Sequence, residues 1–292
     1  MSTLTVTFWG VRGSIPVPGP DTIKYGGNTA CLELKSDAGD WIVFDAGTGL
    51  RVLGESLDLS KSYTVNLCIS HPHWDHINGF PFFPVIFIPG NTVNVYGPGT
   101  FEKSLEDIIK GQMQYSYFPV RTEELRATLH FYEIKNNQFT VGNFNVYTHL
   151  LNHPVTCYGY KVVCNGKIFV YLGDNEPYYN VYKDNDPEVI AFAKQMNEQL
   201  VDFVKGAHVL VSDAQYIPAE YPKKTGWGHS TTHHVINLAL KAKVKTLFLF
   251  HHEPLRKDSE LDAIVTHYRN ILHKKGLPLE LYAAAERNSY TF

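Results

Sequence analysis

The stretch SHPHWDHING (residues 70–79) follows directly on the apolar run YTVNLCI and packs His71, His73, Asp75 and His76 into six positions. Imidazole and carboxylate groups at this density suit Zn2+, and also Mn2+ or Fe. The strand-like run before them supplies a rigid sheet edge, which fixes a loop that folds round an ion. Four such groups on one loop seldom complete a site for two ions, so further His and Asp residues are expected at the ends of later strands. The chain has them: His153 follows FNVYTHLL, Asp174 ends KIFVYLGD, and His251 ends the apolar run VKTLFLF. The fold must therefore bring strands remote in sequence to end side by side.

Strand-length runs recur throughout: TVTFW near residue 5, ACLEL at 30, DWIVFDAG at 40, TVNVYG at 92, LHFYEI at 129, FNVYTH at 144 and KIFVYLGD at 167. Each is bounded by Gly, Asn, Asp or Pro, the punctuation of sheets. Helical patterns begin near residues 101, 187, 230 and 259. Strands crowd the first part and alternate with helices later, which implies an α/β chain with sheets covered by helices in layers. No Pro-, Gly- or Ser-rich linker divides the 292 residues and no period repeats, so one domain over 1–292 is expected. The turn-rich segment 12–28 reads as a rim loop.

Composition excludes several classes. Hydrophobic residues make up 44% and charged residues 19%, which argues against disorder, and no apolar run approaches the roughly 18 residues of a membrane span. The opening MSTLTVTFWGVRGS lacks a basic segment followed by an apolar stretch and a cleavage site, so a soluble, unexported, cytoplasmic chain with no membrane partner is expected. A net charge of −3 offers no broad attraction to nucleic acid. The four cysteines form no CxxC pair and read as reduced core thiols.

The sequence resembles the metallo-β-lactamase superfamily and, within it, the ribonuclease Z-like phosphodiesterase branch of small-substrate or cyclic-nucleotide type. The likeness runs through FWGVRGSIP, DAGTG at 45–49, HPHWDH, LNHPVTCYGYKV, YLGDN, GHST at 228–231 and FLFHHEP. It implies an αββα four-layer sandwich holding two divalent metal ions, Zn2+ first, with Mn2+ or Fe as alternatives. His71, His73 and His153 would hold one ion and Asp75, His76 and His251 the other, with Asp174 and a water or hydroxide bridging them. His149 competes with His153, but HPVTCYGYK resembles the family's stretch after the ligand and favours His153. His252 competes with His251; the strand-end register and the Pro three places later favour His251, leaving His252 to face substrate or support the ligands. Asp45 resembles the family's buried aspartate that orients ligands through hydrogen bonds, and is also a natural turn former.

Two cations about 3.5–4 Å apart bring a shared water towards neutrality and neutralise the oxygens under attack, which points to hydrolysis. The leaving oxygen then needs a proton. His229, just before a helix start marked by Ser230 and Thr231, is implied for that role, with Asp213 of VLVSDAQY as its partner. The catalytic set is thus His229, Asp213 and the ligand Asp75. His233 and His234 read as solvated or packed, while Arg12, Ser14 and Asn28 of the rim loop are candidates to touch a phosphate. His73 stands where flavodiiron proteins carry glutamate, and Asp174 where many true β-lactamases carry cysteine. Glyoxalase-type thioesterases and lactonases keep seven ligands but are not expected to pair them with GHST and an aspartate. The short interval from His153 to Asp174 has no room for the long arm that grips tRNA. A small or cyclic phosphodiester, such as a cyclic nucleotide, is therefore expected over large RNA. An RNA-processing nuclease, a lactonase or thioesterase, and a non-catalytic metal-binding module remain the alternatives. The aromatic, proline-rich segment 80–118 reads either as a wall or lid over the cleft, with Tyr115 or Tyr117 against a base, or as core or dimer interface. The branch resemblance implies a homodimer.

Overall fold

The computed structural model describes residues 3–178 and 186–292. Its strands are β1 (Leu4–Gly10), β2 (Cys31–Ser36), β3 (Trp41–Phe44), β4 (Thr64–Cys68), β5 (Thr92–Gly97), β6 (Thr128–Glu133), β7 (Gln138–Val141), β8 (Phe144–Leu150), β9 (Tyr158–Cys164), β10 (Lys167–Leu172), β11 (Val209–Asp213), β12 (Thr246–Phe250), β13 (Glu280–Ala283) and β14 (Ser289–Thr291). The helices are α1 (Gly49–Glu55), α2 (Trp74–Ile77), α3 (Leu105–Gln112), α4 (Pro187–Val204), α5 (Thr232–Lys241) and α6 (Asp258–Lys274). Each of the four helical patterns read from sequence is matched by a helix, somewhat shorter than expected. Ser104 and Thr231 trim two of them at the start and Asp186 caps a third where expected, each side chain accepting a hydrogen bond from the first turn. Two short helices, α1 and α2, carry too few turns to show a period.

Two seven-stranded sheets form, in the orders β14-β1-β2-β3-β4-β5-β6 and β13-β12-β11-β10-β9-β8-β7. Alternation within the strands decides the layers. In β10, Phe169 and Tyr171 join Phe8, Phe44, Tyr160 and Phe250 between the sheets, while Val170 and Leu172 pack outward among Leu200, Val235 and Val265 of α4, α5 and α6. On the far side, α1, α3 and residues 80–87 cover the first sheet through Leu50, Phe80, Phe83 and Ile109. Each buried side chain of this size contributes about 1.5–3 kcal/mol. The result is the αββα sandwich, with the four cysteines buried and unpaired. Among the described residues no helix is long and apolar enough to cross a membrane.

Strand direction, more than packing, places the candidate ligands. β3 and β4 run parallel, as do β10, β11 and β12. Parallel neighbours end at the same edge, so Asp45 and His71 emerge together beyond the first set, and Asp174, Asp213 and His251 beyond the second. β8 pairs antiparallel with β9, and β9 with β10, so the loop after β8 that carries His153 opens at the same edge as Asp174.

Candidate metal centre

The loop after β4 turns sharply into α2, with His73 just before its first residue and Asp75 and His76 in its first turn. Asp45 fixes the start of this loop. Its carboxylate accepts hydrogen bonds from Ser70 N (2.6 Å), Ser70 Oγ (2.8 Å), His76 Nδ1 (2.8 Å) and Tyr171 Oη (2.5 Å), all buried. Four donors would be stranded without it. Asp45→Ala is expected to lower unfolding free energy by about 2–3 kcal/mol in urea titration, the cost of orphaning buried donors; a loss below about 0.5 kcal/mol would contradict this account.

The sequence-predicted residues converge. His71, His73, His153 and Asp174 present donor atoms within 4.8 Å of one another, and so do Asp75, His76, Asp174 and His251. Asp174 belongs to both groups, and its two oxygens divide between them. Oδ2 lies 3.5 Å from His71 Nε2 and 3.9 Å from His153 Nε2, whereas Oδ1 lies 3.4 Å from His76 Nε2 and 3.3 Å from His251 Nε2. His73 turns Nδ1 to within 3.0 Å of His153 Nε2. The outer nitrogens are already engaged: His71 Nδ1 by Ser70 Oγ, His76 Nδ1 by Asp45, and His153 Nδ1 by the Gly228 carbonyl. Each of these rings is thereby held with Nε2 towards the centre. His149 stays outside, stacked on Phe203.

The charges fit a cation. Burial keeps His71 and His73 below the usual imidazole range and pushes His153 down to about 4, so all three are uncharged with a lone pair to give. Burial also opposes charge on His76, but Asp174, Asp75 and Asp45 outweigh it and raise its proton affinity. The centre therefore attracts positive charge. Burial opposes charge on Asp75 and Asp174 as well, yet the surrounding histidines hold both carboxyls below the usual range. His71 Nε2 and Asp174 Oδ1 are buried with no hydrogen-bond partner among the described residues, which a divalent ion would supply. Imidazole and carboxylate donors in this mixture suit Zn2+, Mn2+ or Fe.

His229 stands at the edge of this cluster, its Nδ1 donating to Asp213 Oδ2 at 3.2 Å and its ring stacked on His251 at 5.0 Å. Asp213 also accepts from Ser230 N and Gln215 N. Burial works against the His229 imidazolium, but Asp213 and Asp174 outweigh it and lift its pKa to about 9. Backbone strain gathers in the same place: Ser14, Asp45 and His251 have φ of 64°, 58° and 56°, conformations that cost non-glycine residues energy and concentrate at functional sites.

Some sequence expectations fail. Arg12 is fully buried and donates to the carbonyls of Gly26, Glu253 and Arg256, so it ties loops together and meets no phosphate. Asn28 is spent on Glu286. Ser14 alone of the three reaches the cleft, its N–H donating to Asp75 at 2.6 Å. His252 does not face substrate: it is buried and donates to the Ala284 carbonyl. Of the two readings of segment 80–118, core rather than cleft wall is the one seen at its start, and the cleft lining takes none of its residues. Phe80 and Phe83 are core, and Tyr115 donates to Glu124 beneath Arg121. The cleft, about 430 Å3, is lined by Ser14, Pro72, His73, Trp74, Asp75, Asp174 and His229. Trp74, passed over in the sequence, is its aromatic wall and is 83% exposed. Gln215, whose Oε1 lies 3.1 Å from His251 Nδ1, was also missed; the DAQY that begins at Asp213 held the only hint.

A family profile described as Beta-lactamase superfamily domain matches residues 40–252. A ribonuclease Z of Picrophilus torridus is 24% identical, the alignment covering 96% of this chain and 95% of the relative. Human tRNase Z, short form, superposes with a TM-score of 0.65 at 20% identity, covering 98% of each chain. Unliganded yeast PDE1 superposes with a TM-score of 0.69 at 16% identity, covering 99% of each.

Proposed function

From a chain that belongs to the beta-lactamase superfamily, and so to a family of hydrolases, we propose a dinuclear metal-dependent phosphodiesterase acting on a small or cyclic phosphodiester. The observation that carries this reading is the division of Asp174 between two donor groups, with the His229–Asp213 pair beside them. His71, His73 and His153 would hold one ion, Asp75, His76 and His251 the other, and Asp174 both. Bound divalent ions supply Lewis acidity and a nucleophile at neutral pH.

The chain's own residues do the rest. Asp213 takes the Nδ1 proton of His229 in a hydrogen bond and fixes the ring, leaving its other nitrogen to protonate a leaving oxygen at the cleft. The Asp213 carboxylate beside Nδ1 favours the protonated ring, which disposes His229 to carry that proton. Ser14 N–H holds Asp75 and Gln215 faces His251, so the second donor group is aimed before anything binds.

Two features bear on the size of the substrate. β9 and β10 form a hairpin closed by Asn165 and Gly166, so no arm for a large RNA rises between His153 and Asp174. Trp74 offers an exposed indole face between two candidate ligands and lines the cleft, where the flat ring of a base would meet it. Stacking on a base contributes about 1–3 kcal/mol. Trp74→Ala is therefore expected to raise KM about tenfold for a base-bearing diester and leave it unchanged for a base-free one. Equal KM changes on both would remove the stacking role.

The ribonuclease Z names of the relatives keep RNA in the test. Protein loaded with Zn2+ or Mn2+ is offered bis-p-nitrophenyl phosphate, cyclic nucleotides, a precursor tRNA, lactones and thioesters. Turnover of the small diesters over all others supports the proposal, and preference for precursor tRNA replaces it with the nuclease reading. No turnover by fully loaded protein would sink catalysis.

A further inference from the structure

We propose that Glu176 is a positioning residue that sets the place of both His153 and His229 through the backbone of a single residue, Gly228. This role rests on the metal-dependent reading of the site.

Glu176 lies two residues beyond Asp174 and is 5% exposed. Its carboxylate accepts from Gly226 N at 2.9 Å, from Gly228 N at 2.8 Å and from the Tyr221 hydroxyl. It makes no ion pair with Lys or Arg among the described residues. A buried carboxylate surrounded by neutral donors is an expensive choice unless the donors must be held. What they hold is the loop from Tyr221 to Gly228, much of it exposed and leading straight into His229.

The backbone of Gly228 is the point of transmission, through the two peptide groups that flank its Cα. Its N–H is taken by Glu176 and its carbonyl accepts the Nδ1 proton of His153 at 3.0 Å. Gly228 has φ of 85°, and a Cβ there would lie 2.4 Å from His153 Nδ1, so backbone and imidazole are in direct contact. The other side of the segment is tied as well. Glu176 N donates to the Asn152 carbonyl beside His153, Asn175 N donates to Asp213, and Ser230 Oγ donates to the Asn175 carbonyl. Asp174 thus supplies the shared carboxylate, while Asn175 and Glu176 tie the chain beyond it to both the His229 and the His153 loops.

Two carboxylate oxygens serve all the loop donors. A glutamine has one acceptor oxygen, and its amide N–H groups would face backbone N–H groups. Glu176→Gln keeps the volume and breaks the latch. Zinc-loaded Glu176→Gln is expected to bind zinc on the order of tenfold more weakly in chelator competition, the loss typical of partners that orient metal ligands. Its kcat should fall on the order of tenfold further for phenyl phosphodiesters than for bis-p-nitrophenyl phosphate, with KM little changed, because His229 matters most for the poorer leaving group. Tyr221→Phe removes one donor at a half-exposed position and should show the same pattern more weakly, whatever the folding of the first variant. Wild-type zinc affinity, or equal kcat losses on both diesters, would overturn the proposal. Chelator competition needs no substrate, so it tests Glu176 even if wild-type protein hydrolyses no diester, the outcome that removes the phosphodiesterase reading instead.

Discussion

Asp174→Ala is expected to reduce bound zinc from about two ions per chain to one or fewer and to lower diester turnover on the order of a thousandfold, about 4 kcal/mol of barrier. The reason is positional. Among the candidate ligands only Asp174 belongs to both donor groups, and its oxygens divide between His71 and His153 on one side and His76 and His251 on the other. Removing them leaves buried imidazoles without the carboxylate that draws positive charge to them. Elemental analysis after gel filtration is the check, and two ions per chain in the variant would refute the bridging role directly.

His229→Ala should behave in the opposite manner: both ions stay bound while activity falls, by about 10²–10⁴-fold on poor leaving groups and far less on p-nitrophenolate. His229 is held by Asp213 and stacked on His251 but is not needed to complete either donor group assigned to the two ions. The rate of the wild type on poor leaving groups should also fall as pH rises through the pKa of His229, since a general acid acts only while protonated. The variant should lack that alkaline limb. A series of aryl diesters of graded leaving-group pKa reads both effects, and parallel slopes for wild type and variant would exclude proton transfer by this residue.

How much of this was legible in the sequence depended on whether a residue's partner was local. His71, His73, Asp75 and His76 share one loop, and His153, Asp174 and His251 each follow a recognisable strand, so strand ends named the candidates, while their division between two ions and the preference for His153 over His149 rested on the family resemblance. The choice of His153 over His149 agrees with the geometry because His149 still lies in β8, packed on Phe203, while His153 is in the loop beyond. Residues whose role depends on distant partners were hidden or misread. Arg12 sits in a polar, glycine-rich loop that looks exposed, yet that loop is pinned under segment 252–256 by its own guanidinium. The fate of His252 was fixed by β13 and the residue after it, far along the chain. The aromatic run at 80–87 has the composition of a binding wall and of core alike, and only its helical turns, which direct Phe80 and Phe83 under α1, decide for core. Trp74 was overlooked because its exposure cannot be read from the His73 and Asp75 that flank it. Strands β13 and β14 are short and partly exposed, β13 without a clean alternation and β14, at three residues, too short for its alternation to stand out.

The loop after β4 belongs to the first sheet, whereas the loop after β8 and the ends of β10 and β12 belong to the second. Neither half alone can assemble a complete donor set. Ion affinity and the docking of the two sheets are for that reason thermodynamically linked quantities, each reporting on the other. A substitution deep between the sheets, at Phe44 or Phe169, well away from any imidazole, should register as weaker zinc retention before it registers as lost secondary structure.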